Sequence, residues 1–277
     1  MFKKIYRKSR LINQYVRSRA KCHEYTSDFK EIETFCVFLG YPRSGHTLIG
    51  SLLDAHPEMV FSNELNVFRH LKYKFTREQI FYLISENSRV FSKKGRLHTG
   101  YSYKVENQWQ GRCKRMKVVG GKRGSGSVKK LFYRPALFEK MYKEIGLKIK
   151  FIHIMRNPFD NISTMCIKSR RKNINESMDL YFFLADEITK LKKHISSEDI
   201  IELSHESFIS KPKESLTLLT NFLGVESDPS YLEDCTKILF KKPNKTRYNF
   251  QWSEKLITRV NDRIRKYPFL AHYSFDS

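Results

Sequence analysis

The chain holds no apolar run long enough to cross a membrane. Its longest stretch free of Asp, Glu, Lys and Arg is eleven residues, Ser215 to Val225, about half of the roughly 20 that a spanning helix requires. The N-terminus is basic but lacks the apolar core of a secretory leader. Glycine (12) and proline (8) are too few in 277 residues for a collagen-like or low-complexity chain. There are five cysteines, Cys22, Cys36, Cys113, Cys166 and Cys235. Their odd number, wide spacing and lack of any C-x-x-C or Cys/His ligand pattern argue against a disulfide framework and a zinc site. The expectation is a soluble, cytoplasmic chain with reduced thiols and no metal.

Acidic side chains are scarce as well: 29 Asp and Glu face 52 Lys and Arg, for a formal net charge of +23. The excess is concentrated. Residues 1–21 carry eight basic and no acidic side chains, and residues 92–134 carry thirteen basic and one acidic, Glu106. Clustered positive charge raises the local concentration of anionic ligands, whether nucleotides, acidic polymers or lipid headgroups.

Along the chain, residues 1–30 read as a basic helix or arm. Short runs of β-forming residues at 34–39, 59–62, 116–119, 150–155 and 200–203 alternate with helical spacing at 47–55, 137–145, 159–167, 178–193 and 211–223. A last helix is expected at 254–265. Residues 65–115 read as irregular and polar with helical patches. Strands alternating with helices predict an α/β fold of three layers, α/β/α, with a central parallel sheet. No repeat or linker divides residues 31–277, which read as a single domain.

The first strand runs into Gly40-Tyr-Pro-Arg-Ser-Gly45-His46-Thr47 and then a helix. This is the G-x-x-x-x-G frame of a phosphate loop, in which backbone N–H groups and the positive end of a helix cradle an anion. The Lys that reaches the outer phosphates of a nucleoside triphosphate is replaced by His46. The loop is therefore expected to hold a phosphate, but not that of an ordinary triphosphate.

The run Tyr41 to Pro57, with Pro42-Arg-Ser-Gly-His-Thr-Leu48 and Leu53-Asp-Ala-His-Pro57, resembles the 5′-phosphosulfate loop of sulfotransferases that use 3′-phosphoadenosine 5′-phosphosulfate (PAPS). The form is most like that of tyrosylprotein sulfotransferases and their bacterial relatives. Ile152 to Met165 resembles the second signature, in which a strand-end Arg and a hydroxyl eight residues on bind the 3′ phosphate; here these are Arg156 and Thr164, with Ser163 one place early. Val118-Val-Gly-Gly-Lys122 resembles the strand-end Lys of the tyrosylprotein type. Ile201 to Pro212 resembles the stretch beside the adenine, with Ser204 and His205 in place of the usual aromatic pair, and Lys241 to Tyr248, with Lys241 and Lys245, sits where the family closes a loop over the nucleotide.

The resemblance implies a sulfotransferase with PAPS as donor, PAP as product and a P-loop-containing fold. It implies donor binding by Arg43, Ser44, Gly45, His46, Thr47, Arg156 and Thr164 or Ser163. Glu64, just past the second strand, matches the family's general base, and partial desolvation is expected to raise its pKa. Arg43 and Lys122 are expected to stabilise charge developing on the sulfuryl group and leaving phosphate. His46 reads mainly as a loop residue and is the next candidate base. A surface carboxylate at Glu64 and an Arg156–Asp160 ion pair are the plainer alternatives. Residues 65–115 are expected to supply the acceptor side, and their charge favours an anionic hydroxyl acceptor, a polysaccharide, peptide or small molecule. A P-loop kinase shares only the Gly40–Thr47 frame. A nucleic-acid-binding protein fits the basic charge but leaves the ordered anion-binding loops unexplained, so no nucleic-acid partner is expected.

Overall fold

The computed structural model describes residues 2–168 and 173–277. In chain order the elements are α1 (Phe2–Lys21), α2 (Thr26–Lys30), β1 (Thr34–Gly40), α3 (His46–Leu53), β2 (Met59–Ser62), α4 (Val67–Lys72) and α5 (Arg77–Lys93). A two-residue hairpin follows, β3 (Leu97–His98) and β4 (Tyr101–Ser102), then β5 (Val118–Gly121), α6 (Gly124–Tyr133), α7 (Leu137–Ile145) and β6 (Lys148–Met155). The remainder comprises α8 (Pro158–Lys168), α9 (Ile174–Lys192), β7 (Ile200–Ser204), α10 (His205–Ser210), α11 (Pro212–Leu223), α12 (Pro229–Lys237) and α13 (Glu254–Ile264). No helix among the described residues is long and apolar enough to cross a membrane.

The main sheet has the order β2-β5-β1-β6-β7, and every pairing in it is parallel. Parallel strands demand crossovers, and helices supply them on both faces, as the alternating pattern predicts. Side chains alternate across β1: Phe35, Val37 and Leu39 enter one apolar cluster, with α1, α4–α9 and α13, while Cys36 and Phe38 enter the other, with α3 and α10–α12. All seven residues of β1 are buried, which explains its continuous apolar run.

Two stretches differ from the sequence expectation. The third predicted strand begins at Val118 and continues through Gly120 and Gly121, which pair with Cys36 and Val37 on β1. Residues 65–115 contain a 17-residue helix, α5, closed at its start by a capping box between Thr76 and Gln79. Its periodicity is blurred because Gln79 and Ser88 are buried along with its apolar residues. Within the basic segment 1–30, α1 lies against α5: Leu11 is buried, Tyr15 meets Phe75 edge-on at 5.1 Å, and Gln79 Nε2 donates to Ser18 Oγ at 3.1 Å.

Candidate active site

The crossovers place four loops side by side at the carboxyl end of the sheet, where β1 sends the chain toward β2 on one side and pairs with β6 on the other. In open α/β sheets such a reversal opens the ligand crevice. Ser62 and Gly121 are in register, so Glu64 and Lys122 leave their strands together. Gly40 is opposite Ile154, so the phosphate loop stands beside Arg156.

Lys122 is almost fully buried, yet its ammonium donates to Glu64 Oε1 at 2.8 Å and to Thr47 Oγ1 at 2.7 Å. A Cβ on Gly50 of α3 would lie 2.7 Å from Lys122 Cβ, so the glycine leaves the passage for this side chain. Glu64 is half-exposed, with Arg123 Nε 3.9 Å from its second oxygen. The expectation of a raised Glu64 pKa is overturned. Burial pushes it up, but the charge and hydrogen bond of Lys122, with Arg123, bring it below the ordinary carboxylate value. Burial in turn lowers the Lys122 pKa against the opposing pull of Glu64.

In the phosphate loop, Arg43 is exposed at φ 71° and forms no ion pair among the described residues. Gly45 caps α3 at φ 95°, and a Cβ there would lie 2.5 Å from His205 Cδ2. His46 is buried. Its Nε2 lies 3.1 Å from the Leu39 carbonyl, which can only accept, and its Nδ1 lies 3.1 Å from Ser44 Oγ. Burial brings its pKa to about 4, so the ring is neutral, carries its proton on Nε2 and is held within the loop. Burial likewise lowers His205 to about 4, and its Nδ1 is enclosed without a hydrogen-bond partner.

Arg156 gathers a second cluster. One terminal nitrogen donates to the Arg43 carbonyl and to Thr164 Oγ1, both at 3.3 Å; the other donates to the Asn244 carbonyl at 2.6 Å and to Thr246 Oγ1 at 3.1 Å. The structure separates the two candidate hydroxyls. Thr164 faces Arg156, whereas Ser163 is fully buried and accepts from Trp252 Nε1 at 3.0 Å, so Ser163 is not brought to the site. Asp160 pairs with Arg247 at 3.2 Å, leaving Arg156 outside that ion pair. Lys241 and Lys245 are exposed and form no ion pair among the described residues. The same loop instead reaches Arg156 through a backbone carbonyl and Thr246, which carry no charge to signal them in the sequence. Arg123 was equally inconspicuous as one of thirteen basic residues in 92–134.

No protein-family model matches the sequence, and no curated protein matches it. Solved structures do. The sulfotransferase domain of the Synechococcus PCC 7002 olefin synthase aligns over 84% of this chain and 94% of its own, at 14% identity and a TM-score of 0.54. Weaker likenesses are to the sulfotransferase domain from the curacin biosynthetic pathway (85% and 98% covered, 13% identity, TM-score 0.49) and to mouse sulfotransferase SULT7A1 complexed with PAP (85% and 84%, 12%, 0.46). What is shared at such identity is the arrangement of elements. The chain has a sulfotransferase-like fold, a five-stranded parallel sheet between helices with its phosphate loop after the central strand.

Proposed function

We propose that the chain transfers a sulfuryl group from PAPS to a hydroxyl acceptor. One observation supports this reading: a single rim of strand ends holds two separate cationic clusters, the Gly40–Thr47 loop with Lys122 and the Arg156–Thr164 pair. A donor with distinct 5′ and 3′ phosphates needs both, and the neutral His46 suits a loop that serves no triphosphate.

The residues fit the donor. The first N–H groups of α3 have no partner within the helix, Arg43 forms no ion pair among the described residues, and His205, whose enclosed Nδ1 is unsatisfied, sets its Cδ2 edge against Gly45. When bound, PAPS supplies a sulfuryl group activated by its phosphate leaving group. Glu64 is ionised at neutral pH and half-exposed, and takes the acceptor's hydroxyl proton on a carboxylate oxygen. Lys122 holds Glu64 in place and presents positive charge beside Thr47, while Arg43 adds charge from the exposed side. Arg156 and Thr164 hold the 3′ phosphate through charge-assisted hydrogen bonds.

Thermal-shift titration tests the donor. PAP should raise the melting temperature without Mg²⁺, and ATP should raise it less; equal shifts would count against PAPS, and a strict Mg²⁺ requirement would favour a kinase. Glu64→Gln should lower turnover by roughly 10²–10⁴, the usual contribution of a positioned acid or base, with PAP affinity almost unchanged. Near-normal turnover would remove Glu64 from the mechanism.

A further inference from the structure

Helix α1 is fastened to the rest of the molecule by one face. Leu11 and Ser18 are buried, Tyr15 meets Phe75 edge-on, and Gln14 Oε1 accepts from His70 Nε2 at 3.2 Å. These residues recur every three or four positions and so share the inner side. They hold the helix, about 30 Å long at 1.5 Å per residue, lengthwise on the surface.

The outer face is ordered in a way that a merely solvated helix does not need. At about 100° per residue, Ile12, Val16, Ser9, Ala20, Asn13 and Tyr6 follow one another around the side away from Leu11 and Ser18. This sector contains no charged residue. Its large apolar members are open to solvent: Tyr6 is 68% exposed, Ile12 55% and Val16 61%. Cations border it on both sides, Lys8 and Arg19 at the Ile12 edge, Arg10 and Arg17 at the Tyr6 edge, and all four are exposed. Arg17 pairs with Glu86. Lys8, Arg10 and Arg19 form no ion pair among the described residues, and residues 1–21 hold no acidic side chain at all.

This pattern discriminates among occupants. A second copy of α1 could cover the apolar strip, but it would bring cations against cations with no carboxylate on either helix to offset them. A nucleic acid would use the cations and stack on Tyr6, yet aliphatic Ile12 and Val16 offer it no stacking platform. An apolar strip between two rows of cations matches the boundary of an anionic bilayer. There aliphatic side chains reach the acyl region, while Lys and Arg extend sideways to the headgroups.

We propose that α1 is an interfacial helix that docks the protein on an anionic lipid bilayer, with the helix axis in the membrane plane. Ile12 and Val16 enter the acyl boundary, Tyr6 lies at headgroup level, and Lys8, Arg10 and Arg19 pair with the headgroup anions. The docking is independent of the donor and acceptor chemistry proposed above.

Flotation of the full chain with lipid vesicles tests it. Vesicles of phosphatidylcholine mixed with phosphatidylserine should capture the protein, and vesicles of phosphatidylcholine alone should capture far less. Added salt should weaken capture. The double variant Ile12→Gln with Val16→Gln should lower affinity for the mixed vesicles by about tenfold or more, through lost apolar burial. Lys8→Gln with Arg19→Gln should lower it by roughly thirtyfold, about fivefold per cation near an anionic surface. All four positions are exposed, and melting temperatures equal to the parent's would show the fold intact. Capture that ignores phosphatidylserine would remove the charges from the interaction, and full capture of the Ile12/Val16 variant would remove the apolar strip; either overturns the proposal. Tighter binding of a single-stranded oligonucleotide, undiminished in the Ile12/Val16 variant, would overturn it in favour of nucleic acid. A dimer in sedimentation that the same variant dissociates would overturn it in favour of a second copy.

Discussion

Arg43 and Glu64 both lie in the left-handed backbone region, at φ 71° and 59°, where a non-glycine residue costs on the order of 1–3 kcal/mol. Each stands just beyond the end of a parallel strand, and each side chain is turned toward the rim that the functional proposal requires. The low Glu64 pKa is set by its neighbours and gives a direct test. Lys122→Met removes the main charge opposing burial, so the Glu64 pKa should rise. A base must be deprotonated, and the acid limb of kcat/KM should therefore move to higher pH while turnover falls. An unmoved limb in that variant would separate the limb from Glu64. Gly45 offers a second test. At φ 95°, with His205 occupying the space of a Cβ, Gly45→Ala should cost roughly 1–2 kcal/mol for the left-handed conformation, plus the displacement of His205. Urea denaturation would show this, together with loss of the PAP thermal shift.

At the scale of elements, the end of α3 is fastened to the segment after α5 by a buried ion pair. Arg96 donates to Asp54 Oδ2 at 2.6 Å, Ser88 Oγ donates to the same oxygen at 2.5 Å, and Phe61 N–H donates to Asp54 Oδ1 at 2.6 Å. Both charged side chains are essentially inaccessible. Removing one partner strands the other, so Arg96→Met should destabilise the fold by about 3–5 kcal/mol. The double variant Asp54→Asn with Arg96→Met should recover much of that loss. Chemical denaturation of the single and double variants checks the expectation, and an undiminished loss in the double variant would point to lost packing. Helix α5 itself was readable to a degree: Thr76-x-x-Gln79 is a capping signature in the sequence. Its buried polar residues hid the rest, since Gln79 and Ser88 are buried to bond with Ser18 and Asp54 on other elements.

Across the molecule, burial lowers three histidines, His46, His70 and His205, to about 4, and the buried His56 and His153 are lowered as well. An unfolded histidine titrates near 6.5. The unfolded chain therefore binds more protons as the pH falls, so the stability held above pH 6.5 should drain away between about 6.5 and 4. Melting temperatures at pH 7.5, 5.5 and 4.5 should fall in that order. Replacing His70, which lies outside the proposed donor site, with Gln should flatten part of the slope. A flat profile would mean that these rings are not held neutral.

Some of this was fixed by neighbours along the chain. The buried strand, the glycine-framed turn and the helix start at Gly40–Thr47 follow from hydrophobic period and turn chemistry, which act over a few residues, and so the phosphate loop and the parallel α/β layers were legible without a structure. Other features depend on strand register and helix docking between distant residues. Lys122 meets Glu64 across 58 positions of sequence, and that contact lowers the Glu64 pKa where local reasoning expected a rise. Thr164 takes the place beside Arg156, and Ser163 does not, because adjacent helical residues face different directions and Trp252 covers one of them. Helix α1 comes to lie on α5 through contacts more than 50 positions apart, Tyr15 with Phe75 and Ser18 with Gln79. The sequence determined the loop; packing decided its partners, because charge and burial act through space and the chain alone does not say which residues share it.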